Sequence, residues 1–150
     1  MTVLYIDADA CPVKDEAARV GVRHGLRIVF VSNSWMRLPD EPGVERVIVP
    51  GGLDQADDWI AEAVVPGDVV VTGDVPLAAR CVKAGADVLG STGKPFHDVG
   101  MALAMRDLKT QLREAGQIRE SGPTFSKLDR SRFLQSLESM VRAARRKSAG

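Results

Sequence analysis

Val3-Leu4-Tyr5-Ile6-Asp7-Ala8-Asp9-Ala10-Cys11-Pro12 opens on a short apolar run, then sets two carboxylates, a thiol and a proline within six residues. The β-branched and aromatic content of the run predicts a buried strand. Proline cannot continue a central strand, but it suits the first turn of a helix, where its missing N–H costs nothing. Asp7 and Asp9 are therefore expected at the carboxyl end of a strand, just before a helix. In open α/β sheets that edge is where ligands bind, at the point where strand order reverses.

Working outward, the same alternation repeats. Pro12 to about His24 carries Val13, Ala17, Ala18, Val20 and Val22 at helical spacing, with Gly25 as a stop. Leu26–Val31 and Val44–Val49 read as strands, separated by the polar turn Ser32-Asn33-Ser34 and a loop from Trp35 to Gly43. Asp54 is expected to cap a helix running to Val64, with Asp57 and Asp58 complementing its positive end and Trp59 and Ile60 toward the core. Asp68–Thr72 is a continuous apolar run typical of a central parallel strand. A helix from Val75 to about Ala84 and a short strand Ala86–Leu89 follow. Gly90–Pro95 reads as a flexible loop. Further helices are expected from about His97 to Ala115 and, capped by Asp129 or Ser131, to about Arg146, with Phe133, Leu134, Leu137, Met140 and Val141 docking the last one.

Strands alternating with helices predict a mostly parallel, five-stranded sheet with right-handed crossovers in a three-layer α/β/α domain. One domain is expected over residues 1–150: a core of about 1–115, a linker of about 116–128 and a docking helix of about 129–147.

The 150 residues suffice for a single buried core, and 45% apolar with 27% charged content argues against disorder. No run is apolar and long enough to span a bilayer, and no signal peptide is expected. Two cysteines, Cys11 and Cys81, give neither a disulfide framework nor zinc spacing, so a cytoplasmic location is expected. Net charge is zero, but residues 1–100 hold 15 acids against 9 bases, and residues 101–150 hold 5 against 11. An acidic pocket beside a basic arm ending in Arg142, Arg145, Arg146 and Lys147 suits a metal-dependent enzyme acting on a polyanion.

Three segments deliver acids to strand ends: Asp7 with Asp9, Asp57 with Asp54 and Asp58, and Asp74 after Thr72-Gly73. Each acid alone is explained by helix capping. Gathered at one sheet edge they repel one another, and Mg²⁺ or Mn²⁺ is the natural neutralising ion because hard cations take oxygen ligands. Thr72 and Asn33 are candidates for positioning water or substrate, and Lys14 and Arg37 for contacting phosphates.

Tyr5–Lys14, Gly52–Ala61, Thr72–Ala78 and Gly122–Phe133 together resemble the signature stretches of the YaiI/YqxD family (UPF0178 or DUF188), bacterial proteins of uncharacterised function. That family is similar to PIN-like and NYN-like domains, metal-dependent nucleases with a Rossmann-like sheet. The resemblance implies that Asp7, Asp57 and Asp74 hold Mg²⁺ or Mn²⁺, with Thr72 as the accompanying hydroxyl, for hydrolysis of RNA phosphodiesters. The fourth acid of PIN nucleases has no clear counterpart, Asp98 and Asp9 being nearest in position.

Three other readings compete. A catalytically silent PIN-like module would bind RNA through Lys and Arg; with aromatics at 5%, a base-stacking platform of the single-strand-binding kind is not evident. A haloacid-dehalogenase-type phosphatase would use Asp7 as nucleophile and Asp9 as general acid, with Lys83 or Lys94 balancing charge. Thiol chemistry at Cys11, near a helix N-terminus that lowers thiol pKa, lacks a base, since His24 lies at the far end of the same helix. The sequence leaves the oligomeric state open, a homodimer being one option.

Overall fold

A computed structural model describes residues 2–96 and 125–149. Six strands form one sheet in the order β3-β2-β1-β4-β5-β6. These are β1 (Val3–Asp7), β2 (Arg27–Ser32), β3 (Val44–Ile48), β4 (Val69–Val71), β5 (Asp87–Leu89) and β6 (Pro95–Phe96). The first five are parallel, and β6 pairs antiparallel with β5.

The sixth strand corrects the expectation of a flexible loop over Gly90–Pro95. Gly90 N donates to Lys94 O at 2.9 Å and Gly93 N to Gly90 O at 3.0 Å, which closes a tight hairpin. Gly93 sits at φ +90, and a Cβ there would meet the Arg132 carbonyl at 2.8 Å, so only glycine fits. Pro95 is tolerated because β6 is an edge strand.

Strand alternation splits the core in two. Leu4, Ile6, Ile28, Phe30, Val69, Val71 and Leu89 face α1 (Lys14–Arg23) and α4 (Lys127–Ala149). Tyr5, Val29, Val31, Val70 and Val88 face α2 (Leu53–Ala63) and α3 (Val75–Lys83). The result is the three-layer α/β/α architecture. The helix expected over His97–Ala115, and Asp98 with it, lies outside the described residues.

Several helix ends differ from expectation. Gly52, not Asp54, precedes α2; its φ of +109 is open to glycine, and Asp54 moves into the first turn. Neither Asp129 nor Ser131 caps α4. Ser126 does, in a reciprocal pair: Asp129 N donates to Ser126 Oγ at 3.0 Å, and Ser126 N donates to Asp129 Oδ2 at 3.1 Å. Phe133, Leu137, Val141 and Ala144 then bury one side of α4, with Leu134 and Met140 partly buried.

Two details fix the central strands. Asp68 is 2% exposed, and its carboxylate accepts from Val3 N and Val65 N, each at 3.0 Å, tying the start of β1 to the entry of β4. Gly21 lets α1 approach β2 so closely that a Cβ would lie 2.5 Å from Ile28 Cγ1. Ile28 is fully buried and cannot withdraw. Alanine gains about 1 kcal/mol of helix propensity over glycine, while overpacking a tight core costs about 1–3 kcal/mol. Gly21→Ala is expected to be net destabilising, by up to about 2 kcal/mol, read as a lower urea midpoint at unchanged slope. A raised midpoint would show that the contact relaxes freely.

Candidate functional site

β1 and β4 are neighbours, with Ile6 opposite Val71, so Asp7 and the Thr72-Gly73-Asp74 turn leave the sheet side by side at its carboxyl edge. Thr72 Oγ1 donates to Asp7 Oδ2 at 2.8 Å and accepts from Asp74 N at 3.0 Å. One hydroxyl thus orients the first acid and shapes the turn that carries the third. Asp74 also caps α3, Oδ1 accepting from Leu77 N at 2.9 Å, which leaves Oδ2 for other work. α2 begins at the same edge and brings Asp57 to the group, one turn inside its start.

The charges of the three acids act on one another. Burial raises the Asp7 carboxyl above the usual carboxylate range; the Thr72 hydrogen bond opposes this, and the charges of Asp74 and Asp9 add to it. Asp57 is pushed up to about 7, by burial first, then by the charges of Asp74, Asp7 and Asp54, with a hydrogen bond shared with Asp74. Near neutral pH the cluster therefore retains a proton that an isolated aspartate would have lost. Among the described residues no Lys or Arg pairs with Asp7, Asp57 or Asp74.

Also among the described residues, no three His, Cys, Asp or Glu side chains are drawn together closely enough to hold a metal ion as they stand. The donor chemistry nonetheless fits a hard divalent cation, since every group at this edge offers oxygen and the charges of Asp74, Asp7 and Asp54 add to burial in raising Asp57.

The remaining candidates divide. Asp9 turns toward β2, its carboxylate accepting from Asn33 N at 3.0 and 3.3 Å. The Asn33 side-chain oxygen is buried and has no hydrogen-bond partner among the described residues, an acceptor-rich spot beside Asp9. Asp58 points away from the group and pairs with Arg80 at 2.7 Å. Lys14 donates to the Cys11 carbonyl at 2.7 Å. Lys14 and Arg37, with Asp15 and Asp40, face a cleft of about 580 Å³ on the α1 side of the sheet.

The basic C-terminus lies elsewhere. Lys147 Nζ is 3.8 Å from Asp87, the first residue of β5, and Arg145 contacts His24 at the end of α1. Both partners belong to the amino edge of the sheet, opposite the acids. Arg142 is spent on Glu138 at 3.0 Å. Sequence reasoning had placed these cations with the acids because charge counting carries no direction.

Cys11 is buried, and burial pushes its thiol up to about 11, outweighing the backbone hydrogen bond and the Lys14 charge that pull it down. The lowering expected from a helix N-terminus is thus reversed. Lys83 ends α3, a full helix away from Asp74. What the sequence reading missed is Asp68, whose apolar context hid a buried carboxylate that serves structure.

Curated relatives align with nearly the whole chain. A UPF0178 protein of Parvibaculum lavamentivorans is 60% identical over 149 residues, covering 98% of this chain and 98% of the relative. UPF0178 protein GOX1710 of Gluconobacter oxydans is 53% identical over 150 residues, covering 99% and 86%, and one from Rhodopseudomonas palustris strain BisB5 is 52% identical, covering 99% and 92%. No solved structure matches the chain. The model of the uncharacterised YaiI/YqxD family, DUF188, matches residues 5–143, and the chain belongs to that family.

Proposed function

We propose that this protein is a metal-dependent nuclease that hydrolyses RNA phosphodiesters, with Asp7, Asp57 and Asp74 holding Mg²⁺ or Mn²⁺. The observation that carries the reading is the convergence of three carboxylates from three separate elements on one sheet edge, with Asp57 raised to about 7 by burial first and then by the charges of the others. Structural carboxylates are ordinarily paired with a cation or capping a helix, and this group has an excess that neither role absorbs. A bound divalent ion supplies charge neutralisation and activates water for attack at phosphorus.

The chain's own residues do the rest. Thr72 holds Asp7 in one orientation. Asp74 is fixed by its cap to Leu77 N, with one oxygen left over. Asp57, pushed up to about 7, exchanges its proton near neutrality, and a bound cation would favour its charged form. Asp9 and Asn33 flank the group on the β2 side.

The reading takes the protein to be cytoplasmic, in keeping with two buried free thiols. No described helix is long and apolar enough to cross a membrane. The second reading, an RNA-binding module without cleavage, is favoured by one observation: the acids do not stand in a ligating arrangement as they are. The phosphatase alternative draws no such support, since Asp9 is engaged by Asn33 and Lys83 is remote.

Calorimetric titration with Mn²⁺, run beside a cleavage assay on mixed RNA, decides between them. Wild type is expected to bind and cleave, and Asp7→Asn to lose both. Binding of Mn²⁺ and RNA without cleavage supports the silent module. No Mn²⁺ binding by wild type reduces the acids to caps and removes the proposal.

A further inference from the structure

Trp35 is 64% exposed, in a molecule whose other tryptophan packs edge-on against Tyr5 at 6.1 Å. A tryptophan left in water forgoes the largest burial gain of any side chain, so its exposure calls for a reason. It is not loose. The Arg46 guanidinium lies over the ring, 5.0 Å from its centroid, and Arg46 also donates to the Met36 carbonyl at 3.0 Å. That pair of contacts holds the Trp35-Met36 segment against edge strand β3 and presents the indole with one face backed by a cation.

Position gives the exposed ring a meaning. Trp35 follows the carboxyl end of β2 by three residues and comes two residues after Asn33, whose backbone is bonded to Asp9. The next residues, Arg37 to Asp40, form one wall of the cleft that Lys14 faces from the start of α1. Thus a single sheet edge carries, in order, the Asp7–Asp57–Asp74 group, the Asp9–Asn33 junction, and then an indole backed on one face by Arg46 and followed in the chain by the cleft residue Arg37.

We infer that Trp35, backed by Arg46, is a stacking platform for one base of a single-stranded RNA whose backbone passes Lys14 and Arg37. Every base has a π-face, so a lone indole gives affinity without sequence preference, and the flanking cations meet phosphates. A duplex hides its base faces and gains only the phosphate contacts. The aromatic content excludes an extended platform but not one ring. The inference rests on the nuclease reading only for where the reacting phosphate lies.

The test uses the full chain in EDTA, so that nothing is cut. Anisotropy of a labelled 12-mer of uridine gives Kd for wild type, Trp35→Phe and Trp35→Ala, with a duplex of equal length as comparison. Trp35→Ala is expected to weaken single-strand binding about 5- to 100-fold, the range for losing one base–aromatic stack. Trp35→Phe should recover most of it, and the duplex should be indifferent to either change. Quenching of tryptophan emission on binding, lost in Trp35→Phe, locates the contact.

Equal Kd for wild type and Trp35→Ala overturns the inference, as does the absence of any RNA binding, or a concentration-dependent dimer that Trp35→Ala dissolves with no effect on RNA. Loss of binding in Trp35→Ala without Mn²⁺-dependent cleavage in wild type leaves the platform standing and removes the nuclease. Cleavage with Kd and KM unchanged by Trp35→Ala does the reverse.

Discussion

Asp74→Asn is expected to reduce Mn²⁺-dependent RNA cleavage by at least about a hundredfold, the scale of losing a charge that positions a reacting group, while leaving the fold intact. The two effects separate because Asp74 has two jobs. Its Oδ1 caps α3 by accepting from Leu77 N, and an asparagine oxygen caps as well as an aspartate. Its charge adds to the repulsion felt by Asp7 and Asp57, and removing it relieves both. Thermal unfolding in EDTA should therefore be unchanged or a little later than wild type. Full activity in this variant would show that the acids are not the site. Lost activity with a collapsed midpoint would show instead that asparagine fails as the cap, and Asp7→Asn then separates the two roles.

Asp57→Asn is expected to stabilise the metal-free protein at pH 8 and to do little at pH 4. The Asp57 carboxyl is pushed up to about 7 in the folded chain and has its ordinary value of 3.8 when unfolded. Below both values it is protonated in both states and contributes nothing. Between them only the folded state holds the proton, so stability falls as pH rises through that window, and above about 7 the full penalty of the buried charge is present. A shift of this size corresponds to about 4 kcal/mol in full, and solvent screening at a half-buried helix position cuts it to about 1–2 kcal/mol. Denaturant midpoints across pH 4–8 for wild type and Asp57→Asn measure it directly. The curves should meet near pH 4, diverge progressively up to about 7, and keep a constant separation above it. A constant offset would show that Asp57 does not titrate in this range. Because a bound cation must displace that same proton, Mn²⁺ affinity of wild type should rise with pH up to about 7 and then level.

The fold was legible because the five parallel strands declared themselves through composition. Val69-Val70-Val71 and Ile28-Val29-Phe30-Val31 are buried on both faces, which requires continuous apolar runs that little else explains. Pro76 at the start of α3 and Gly85 after it punctuate that helix unambiguously. β6 was not legible: two residues carry no periodicity, and its pairing depends on a turn whose glycine is required by a contact with α4. The start of α4 was misread for a related reason. Ser126 and Asp129 cap each other, and either alone looks like an ordinary polar residue.

The candidate site was legible as positions and not as directions. That Asp7, Asp57 and Asp74 share an edge follows from where strands end and helices begin. That Asp58 turns to Arg80, and Asp9 to Asn33, is decided by rotamers and neighbours with no signature in the chain. The basic tail was misplaced because a helix as long as α4, with 23 residues, carries its last charges to the opposite side of the domain.

Thr72 and Asp7, bonded at 2.8 Å, are 65 residues apart in the chain. During synthesis the first acid leaves the ribosome long before its partners, and β1 has no β4 to pair with until the intervening strands and helices exist. An incomplete chain has the letters of the site but no means of spelling it. Under the nuclease reading proposed above, that delay would withhold the chemistry until translation has passed the fourth strand.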